Sequence, residues 1–198
     1  MNVTAIVLAA GQGSRFRAEA GTDQDKLLAQ CVGLDGVMRP VIEQVLRSLP
    51  AGITRRWLVT SPERTAVIRL AREYGCEVLL LHSAGMGDSL AAAVAASGPA
   101  DGWLVVLGDM PFIQAASIER VIVGLQEEGV SVPVHGGQYG HPVGFGRAFG
   151  PGLMALSGDR GARSLFVGAP VNAVQVDDPG VLWDVDLPHS LNFKPLPH

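Results

Sequence analysis

Small and basic residues follow the first apolar run of the chain in a pattern that suits the binding of an anion. The run from Val3 to Leu8 leads into Ala9-Ala10-Gly11-Gln12-Gly13-Ser14-Arg15-Phe16, and Lys26 follows a polar gap. Glycine lacks a Cβ and tolerates positive φ, so backbone N–H groups of such a loop can approach phosphate oxygens, and two nearby cations favour a triphosphate. An ordinary glycine turn is the alternative for the loop taken alone. The candidate nucleotide-binding residues here are Leu8, Ala9, Ala10, Gly11, Gly13, Ser14, Arg15 and Lys26.

Two better-known nucleotide-binding motifs do not fit this loop. A Walker A loop closes with Gly-Lys-Ser or Gly-Lys-Thr, and no lysine lies near Gly13. A dinucleotide fingerprint has a third glycine where this chain has Phe16, and it expects an acidic residue after the next strand, where Thr60-Ser61-Pro62 stands. The loop therefore favours a nucleoside triphosphate over a nicotinamide cofactor.

An aspartate follows the most buried-looking strand of the sequence. Asp109 comes just after the apolar run from Trp103 to Leu107. Ligands of open parallel sheets bind beyond the carboxyl ends of the strands, so Asp109 is expected to face the same crevice as the first loop. Mg²⁺ takes a few carboxylate oxygens and leaves its other positions to water and phosphate, which makes Asp109 the leading metal ligand. A turn-capping aspartate is its alternative role.

A second acidic segment lies near the end of the chain, in Trp183-Asp184-Val185-Asp186-Leu187-Pro188. Alternation in a short extended run points Asp184 and Asp186 to the same face. One of them is expected to complete the metal site with Asp109, and Asp186 is favoured because the proline turn after it presents it. The alternative is that both are solvent-facing or capping acids.

Three further polar clusters lie between glycines. Gly85-Met86-Gly87-Asp88-Ser89-Leu90 follows the third predicted strand, where Gly85 and the Ser89 hydroxyl can contact a base or ribose, although Ser89 also suffices as a helix N-cap. The segments from Gly140 to Val143 and from Gly158 to Arg163 are candidates for binding a second substrate, the acceptor. The alternative is that their polar side chains are structural or solvated. Their candidate acceptor-binding residues are His141, Arg160 and Arg163.

Apolar runs rich in Val, Ile and Leu alternate with helical patterns, which predicts an α/β fold with a mostly parallel sheet covered on both faces. Helices are expected from Pro40, from Pro62, from Asp88 or Ser89 to Ala96, and over about 115–128. The predicted strands are 3–8, 56–60, 77–81, 103–107, 131–134, 142–145 and 171–176.

Composition narrows the class of protein. The 198 residues predict one domain, spanning 1–198, and 47% hydrophobic against 17% charged residues indicates a well-buried globular chain. A formal net charge of -4 argues against general nucleic-acid binding, and no apolar stretch reaches the roughly 18 residues that span a membrane. Cys31 and Cys76 carry no CxxC context, which favours a reducing cytoplasm over a disulfide framework or zinc site.

Taken in order, these motifs resemble the molybdenum cofactor nucleotidyltransferases. The resemblance rests on Leu8 to Phe16, Lys26-Leu27-Leu28, Gly85 to Leu90, Gly108-Asp109-Met110-Pro111, and the segments around His141, Arg163 and Asp186. Leu-Ala-Ala-Gly at the first loop is similar to the cytidylyltransferase branch, whereas the guanylyltransferases more typically read Leu-Ala-Gly-Gly. The departures are a longer gap before Lys26, Phe16-Arg17 in place of Met-Gly, and His141 in place of Asn.

The resemblance implies a three-layer α/β/α sandwich with a Rossmann-like sheet of the nucleotide-diphospho-sugar transferase type. It implies Mg²⁺-dependent transfer of CMP from CTP, favoured over GTP, to the phosphate of molybdenum cofactor, with release of pyrophosphate and with a molybdoenzyme or chaperone as a possible partner. Arg15, Lys26 and Asp109 would be catalytic, and Asp109 and Asp186 would hold the metal. A sugar-phosphate nucleotidyltransferase and a non-catalytic nucleotide-binding chaperone are the alternatives.

Overall fold

Parallel strands joined by helices form the frame of this chain, as its alternating apolar runs predict. The computed structural model describes residues 2–21, 23–53, 55–82, 85–159 and 161–194. The α-helices are α1 (Ser14–Ala20), α2 (Val41–Ser48), α3 (Thr65–Glu73), α4 (Met86–Ser97), α5 (Ala115–Val123) and α6 (Gly150–Met154). The strands are β1 (Val3–Leu8), β2 (Gln30–Val32), β3 (Met38–Pro40), β4 (Arg55–Thr60), β5 (Glu77–Leu80), β6 (Gly102–Leu107), β7 (Val130–His135), β8 (Gln138–Tyr139), β9 (Val143–Gly146) and β10 (Val171–Gln175).

The main sheet has the strand order β10-β7-β9-β6-β1-β4-β5, with β8 paired to β7, and β2 and β3 form a separate hairpin. Strand β1 lies inside the sheet, parallel to both β4 and β6, and β5 continues the parallel set beside β4. Strand β9 is antiparallel to β6 and β7, while β10 runs parallel to β7. The sheet is thus mostly parallel, and the carboxyl ends of β1, β4, β5 and β6 share one edge.

Two apolar clusters cover the two faces of this sheet. Along β1, Ala5 and Val7 pack into one cluster and Ile6 into the other, as the two-residue period of a strand requires. Helices α2, α3 and α5 contribute buried residues to the first cluster, whereas α4 and α6 contribute to the second. These layers match the predicted three-layer α/β/α arrangement.

Several predicted boundaries need correction. Helix α4 begins at Met86 with Gly85 at its N-cap and without a side-chain cap, so the prediction of an Asp88 or Ser89 cap is wrong. Helix α5 ends at Val123 rather than near residue 128. The Gly124 carbonyl, which a longer helix would use internally, accepts instead a hydrogen bond from the Asn172 side chain at 2.9 Å.

The sequence pattern did not predict the β2–β3 hairpin, helix α1, strand β8 or helix α6. The hairpin strands have three residues each, too few to establish a two-residue period. Helix α1 has only Phe16 buried, so its sequence shows no apolar face. Within the described residues, no helix is both long and apolar enough to cross a membrane.

Candidate active site

The loop after β1 is held by contacts with other segments of the chain rather than by hydrogen bonds within itself. The Ala9 N–H donates to the Val59 carbonyl of β4 at 2.9 Å, which continues the parallel pairing by one residue. Gly13 adopts φ +61°, a left-handed conformation that side chains rarely tolerate, and α1 starts directly after it. Between them, no intramolecular partner is recorded in the described chain for the backbone N–H groups of residues 10–12. These donors are available to an external anion.

Lys26 reaches the predicted metal-binding acids. Its Nζ lies 2.5 Å from Asp109 Oδ2 and 3.5 Å from Asp186 Oδ1, and the lysine side chain is only 10% exposed. Arg15 Nη1 lies 2.7 Å from the other oxygen of Asp186. Two predicted cations and two predicted acids, separated by up to 171 positions in the chain, therefore meet in one cluster.

Asp186 is positioned by loop contacts, since residues 183–186 form no strand. Val185 is fully buried, and its N–H donates to the Asp109 carbonyl at 2.9 Å, which places the segment directly beside the end of β6. Phe193 anchors the same segment, because it stacks on Phe112 with ring centroids 4.6 Å apart and meets Trp183 edge-on at 5.3 Å. The predicted alternation holds: Val185 points inward between two accessible acids.

The carboxylates of Asp109 and Asp186 are close enough to share a cation. One nitrogen contacts an oxygen of each at 2.5 and 3.5 Å, so these two oxygens cannot lie more than about 6 Å apart. No group of three or more His, Cys, Asp or Glu side chains suited to a metal occurs in the part of the chain described. The donor set fits Mg²⁺ bound by two carboxylates, with water and phosphate supplying the remaining oxygens.

Asp184 adds a third negative charge to this cluster. Partial burial and the neighbouring carboxylates of Asp186 and Asp109 raise the pKa of Asp184, in that order, while Lys26 opposes the shift. Burial contributes most to this shift, and the two neighbouring carboxylates add to it, so three acidic side chains lie close together here, an arrangement that favours a nearby cation.

A cavity of about 570 Å³ with a mixed polar and apolar lining opens between the first loop and the start of α4. The predicted nucleotide-binding residues that line it are Leu8, Ala9, Ala10, Gly11, Ser14, Lys26, Gly85 and Ser89, and the predicted metal ligand Asp109 lines it with them. Arg15 does not line it; its largely exposed side chain pairs with Asp186 instead. Gly13 does not line it but supports it, since a Cβ there would come within 3.3 Å of the Lys26 side chain. Gln12, Met86 and Asp159 also line the cavity, and sequence reasoning did not single them out.

Gly85 closes the far side of this cavity through a close backbone approach. A Cβ on Gly85 would lie 2.2 Å from the carbonyl group of Gly158, and the Gly87 N–H donates to that carbonyl at 2.8 Å. Ser89 is buried, and its hydroxyl donates to the Gly85 carbonyl at 3.2 Å instead of capping α4. The glycines of this motif thus bring two loops together at the cavity wall.

A second cavity, of about 720 Å³, adjoins the first and shares Met86 and Leu107 with it. His141 and Arg163, two of the predicted acceptor residues, line it, while Arg160 lies outside the described residues. The other lining side chains are largely apolar: Leu90, Val105, Val132, Tyr139, Val143, Phe145, Phe166 and Val167.

His141 is a half-buried polar group at this second cavity. Its Nδ1 is shielded from solvent and has no hydrogen-bond partner within the described chain. Burial lowers the pKa of His141, and the carboxylate of Asp109 opposes that shift only in part. The imidazole is therefore neutral at physiological pH and has a free polar atom beside the cavity.

Sequence reasoning missed Arg64, which contacts the first loop directly. Its guanidinium donates to the carbonyls of Ala9 and Gly11 at 2.5 and 2.6 Å. No motif signals this role, because Arg64 lies in the turn before α3 and is distant in sequence from the loop it contacts.

Comparison with known proteins points to one class of enzyme. Residues 5–173 match the model of a family described as the MobA-like NTP transferase domain. The bifunctional protein GlmU of Syntrophomonas wolfei is 30% identical over 149 residues, which cover 74% of this chain and 31% of GlmU. The chain thus spans about a third of the length of the curated relatives it matches.

Solved structures match over nearly the whole chain. Rv0371c of Mycobacterium tuberculosis superposes with a TM-score of 0.79 at 28% identity, covering 96% of this chain and 95% of Rv0371c. A manganese complex of Rv0371c gives a TM-score of 0.69 at 27% identity, covering 89% of each chain. A nucleotidyl transferase from Methanothermobacter, Mth528, gives 0.79 over 95% of this chain and 93% of Mth528, and at 24% identity it supports the fold alone.

Proposed function

The chain belongs to the family of MobA-like NTP transferase domains, and on that premise we propose that it transfers CMP from CTP to the phosphate of molybdenum cofactor and releases pyrophosphate. The observation that carries the proposal is the junction of two cavities. A cavity of mixed lining, with the first loop and the paired acids at its wall, opens beside a more apolar cavity, and Met86 and Leu107 line both.

The triphosphate would bind in the cavity of about 570 Å³ between the first loop and α4. The unpaired N–H groups of residues 10–12 and the cations Arg15 and Lys26 supply donors and positive charge to its oxygens. Asp109 and Asp186 would hold Mg²⁺, which neutralises phosphate charge when it is bound. Manganese is present in a complex of the similar protein Rv0371c, which supports a divalent cation here.

The chemistry needs no nucleophile from the protein. An oxygen of the acceptor phosphate attacks the α-phosphorus of CTP in line, one P–O bond forms, and the bond to pyrophosphate breaks on the opposite side. Because the attacking group is already an anion, the task of the protein is to hold two negative groups together. Lys26 and Arg15 stabilise the charge that develops on the departing pyrophosphate.

The lining of the second cavity favours a flat heterocyclic acceptor. Sugars need many hydrogen-bonding partners, whereas Leu90, Val105, Val143, Phe145 and Phe166 offer mainly apolar surface. His141 and Arg163 supply the few polar contacts, suited to a ring nitrogen and a phosphate. A pterin with a terminal phosphate has this combination of a flat ring and an anionic group.

The choice of CTP rests on Ala10, where the guanylyltransferases that the loop resembles have glycine. Cys31 and Cys76 are both buried and unpaired, which fits our further proposal of a single-domain cytoplasmic enzyme.

A sugar-phosphate nucleotidyltransferase is the second candidate. The 30% identity to GlmU of Syntrophomonas wolfei favours it, although this chain matches only 31% of that protein. The two candidates share the nucleotide site and differ in what occupies the second cavity.

One assay separates these candidates. Pyrophosphate release is measured with each of the four nucleoside triphosphates and Mg²⁺, in the presence of molybdenum cofactor, of a panel of sugar 1-phosphates, or of no acceptor. Release with CTP and molybdenum cofactor alone supports the proposal. Release with a sugar phosphate favours the second candidate, and nucleotide binding without release under any condition contradicts both.

A further inference from the structure

Arg64 ties together two segments that are far apart in the sequence. Its Nη1 donates to the Ala9 carbonyl at 2.5 Å and its Nη2 to the Gly11 carbonyl at 2.6 Å, while its Nε lies 3.2 Å from Asp25 Oδ2. The Thr60 hydroxyl also donates to the Ala9 carbonyl, at 3.2 Å. The Arg64 side chain is only 14% exposed, so these contacts lie largely out of solvent.

The two loop contacts determine how the peptide groups of the first loop are oriented. In a trans peptide, the C=O of one residue and the N–H of the next point in opposite directions. With the carbonyls of Ala9 and Gly11 drawn toward Arg64, the N–H groups of Ala10 and Gln12 point away from it. Both of these residues line the nucleotide cavity, which Arg64 does not line, and both also border a neighbouring cavity on the side of Arg64. The guanidinium thus keeps the loop carbonyls, which would repel phosphate, on the far side of the loop.

The third contact controls the segment that carries Lys26. Asp25 Oδ1 accepts the Leu27 N–H at 3.0 Å, and its carbonyl accepts the N–H groups of Leu28 and Ala29 at 3.0 and 3.1 Å. Asp25 therefore organises a tight turn around Lys26, and Arg64 joins this turn to the first loop. Backbone bonds from Val41 and Ile42 to the Ala29 and Leu27 carbonyls hold this turn against α2, and the contact of Asp25 with Arg64 holds it against the first loop.

We propose that Arg64 is a positioning residue that fixes the anion-binding loop and the Lys26 turn in the geometry that receives the triphosphate. All three acceptors of its side chain belong to those two segments. The inference rests on the proposed function in that it requires a triphosphate ligand, but it does not depend on which acceptor is used.

Direct binding measurements test this role. The affinities of Mg²⁺-CTP and of inorganic tripolyphosphate are measured by calorimetry for wild type, Arg64→Ala and Arg64→Lys. Arg69→Ala is the matched control, because Arg69 is an exposed arginine on α3 that pairs only with Glu73. We expect Arg64→Ala to weaken both ligands by about 10- to 100-fold, the range for losing hydrogen bonds from a charged donor. We expect Arg69→Ala to leave both unchanged.

Two further readouts separate positioning from a general loss of structure. Arg64→Lys keeps the charge, but an ammonium cannot span three acceptors as a planar guanidinium does, so we expect it also to bind weakly while it remains folded. Guanidinium ion at low millimolar concentration should restore part of the affinity of Arg64→Ala.

The outcomes of these measurements distinguish failure of the Arg64 positioning role from failure of the proposed function. Wild-type affinity in Arg64→Lys, or in a folded Arg64→Ala, overturns the positioning role and leaves the proposed function intact. A loss of affinity in Arg64→Ala that guanidinium does not restore assigns Arg64 to general stability and also overturns it. If wild type binds neither ligand, both this role and the proposed function are wrong.

Discussion

Replacing Lys26 with methionine should destabilise the protein in a way that a divalent cation repairs. Methionine keeps most of the apolar stem that packs against Gly13 and removes only the charge. Without that charge, the carboxylates of Asp109 and Asp186 face each other, and the largely exposed Arg15 still pairs with Asp186.

The size of the effect follows from the geometry. Two unit charges about 6 Å apart repel by about 3 kcal/mol at an effective dielectric constant of about 20. The side chains of Asp109 and Asp186 are 21% and 37% exposed, so water screens part of this repulsion. We expect Lys26→Met to lower the free energy of unfolding by about 2 kcal/mol in the absence of metal.

Chemical denaturation with and without Mg²⁺ measures this effect. A cation at about 100 times its dissociation constant stabilises the folded state by about 2.7 kcal/mol, so saturating Mg²⁺ should offset most of the loss in Lys26→Met. Wild type should gain less, because there the metal competes with Lys26 for the same oxygens. Arg69→Met, which breaks an exposed pair on α3, is the control and should change little. Equal stability of Lys26→Met and wild type without metal, or an equal response of both to Mg²⁺, would refute the shared site.

Three further predictions concern groups around the two cavities. Because burial lowers the pKa of His141, the folded state binds a proton at this residue less tightly than the unfolded state does, so the free energy of unfolding should fall as pH drops below about 6.5. The variant His141→Asn should flatten this part of the plot of unfolding free energy against pH. An unchanged slope in the variant would contradict the assignment of the shift to His141. Burial raises the pKa of Cys31 and of Cys76 to about 11, so a thiol reagent at pH 8 should label neither until the protein is unfolded, and rapid labelling would contradict their burial. Gly85→Ala should weaken CTP binding by at least about tenfold, because the added Cβ would overlap the Gly158 carbonyl and force the two loops apart. Titration calorimetry measures this affinity, and a wild-type value in the variant would contradict the prediction.

The regular part of the fold was predictable because its signals are local. Strand β1 runs from Val3 to Leu8 as expected, and the strands on either side of it begin within one residue of their predicted starts. Runs of Val, Ile and Leu mark buried parallel strands whatever their neighbours are. The placement of Asp109 beside the first loop followed from the same reasoning, since both lie at the carboxyl ends of adjacent parallel strands.

The parts that the sequence did not reveal depend on contacts between distant residues. The turn that carries Lys26 is joined to the first loop by the contact between Asp25 and Arg64, across 39 positions, and to α2 by the bond from the Ile42 N–H to the Leu27 carbonyl; no local spacing encodes such contacts. Asp186 is placed by the buried Val185 and its hydrogen bond to Asp109 rather than by the strand that its alternation suggested. Resemblance to a family named both residues as site residues, and the structure places their side chains together, but the resemblance did not explain what holds them there.

The central claim is that this cluster transfers a nucleotide in a reaction that depends on Asp109. Its most direct test is the transfer of label from α-³²P-CTP to molybdenum cofactor, with Mg²⁺, by wild type and by Asp109→Ala. Circular dichroism of the variant is checked first, so that a folded protein is compared. We expect labelled cofactor with wild type and none with the folded variant. Mg²⁺-dependent labelling that persists in Asp109→Ala would contradict the account of this site.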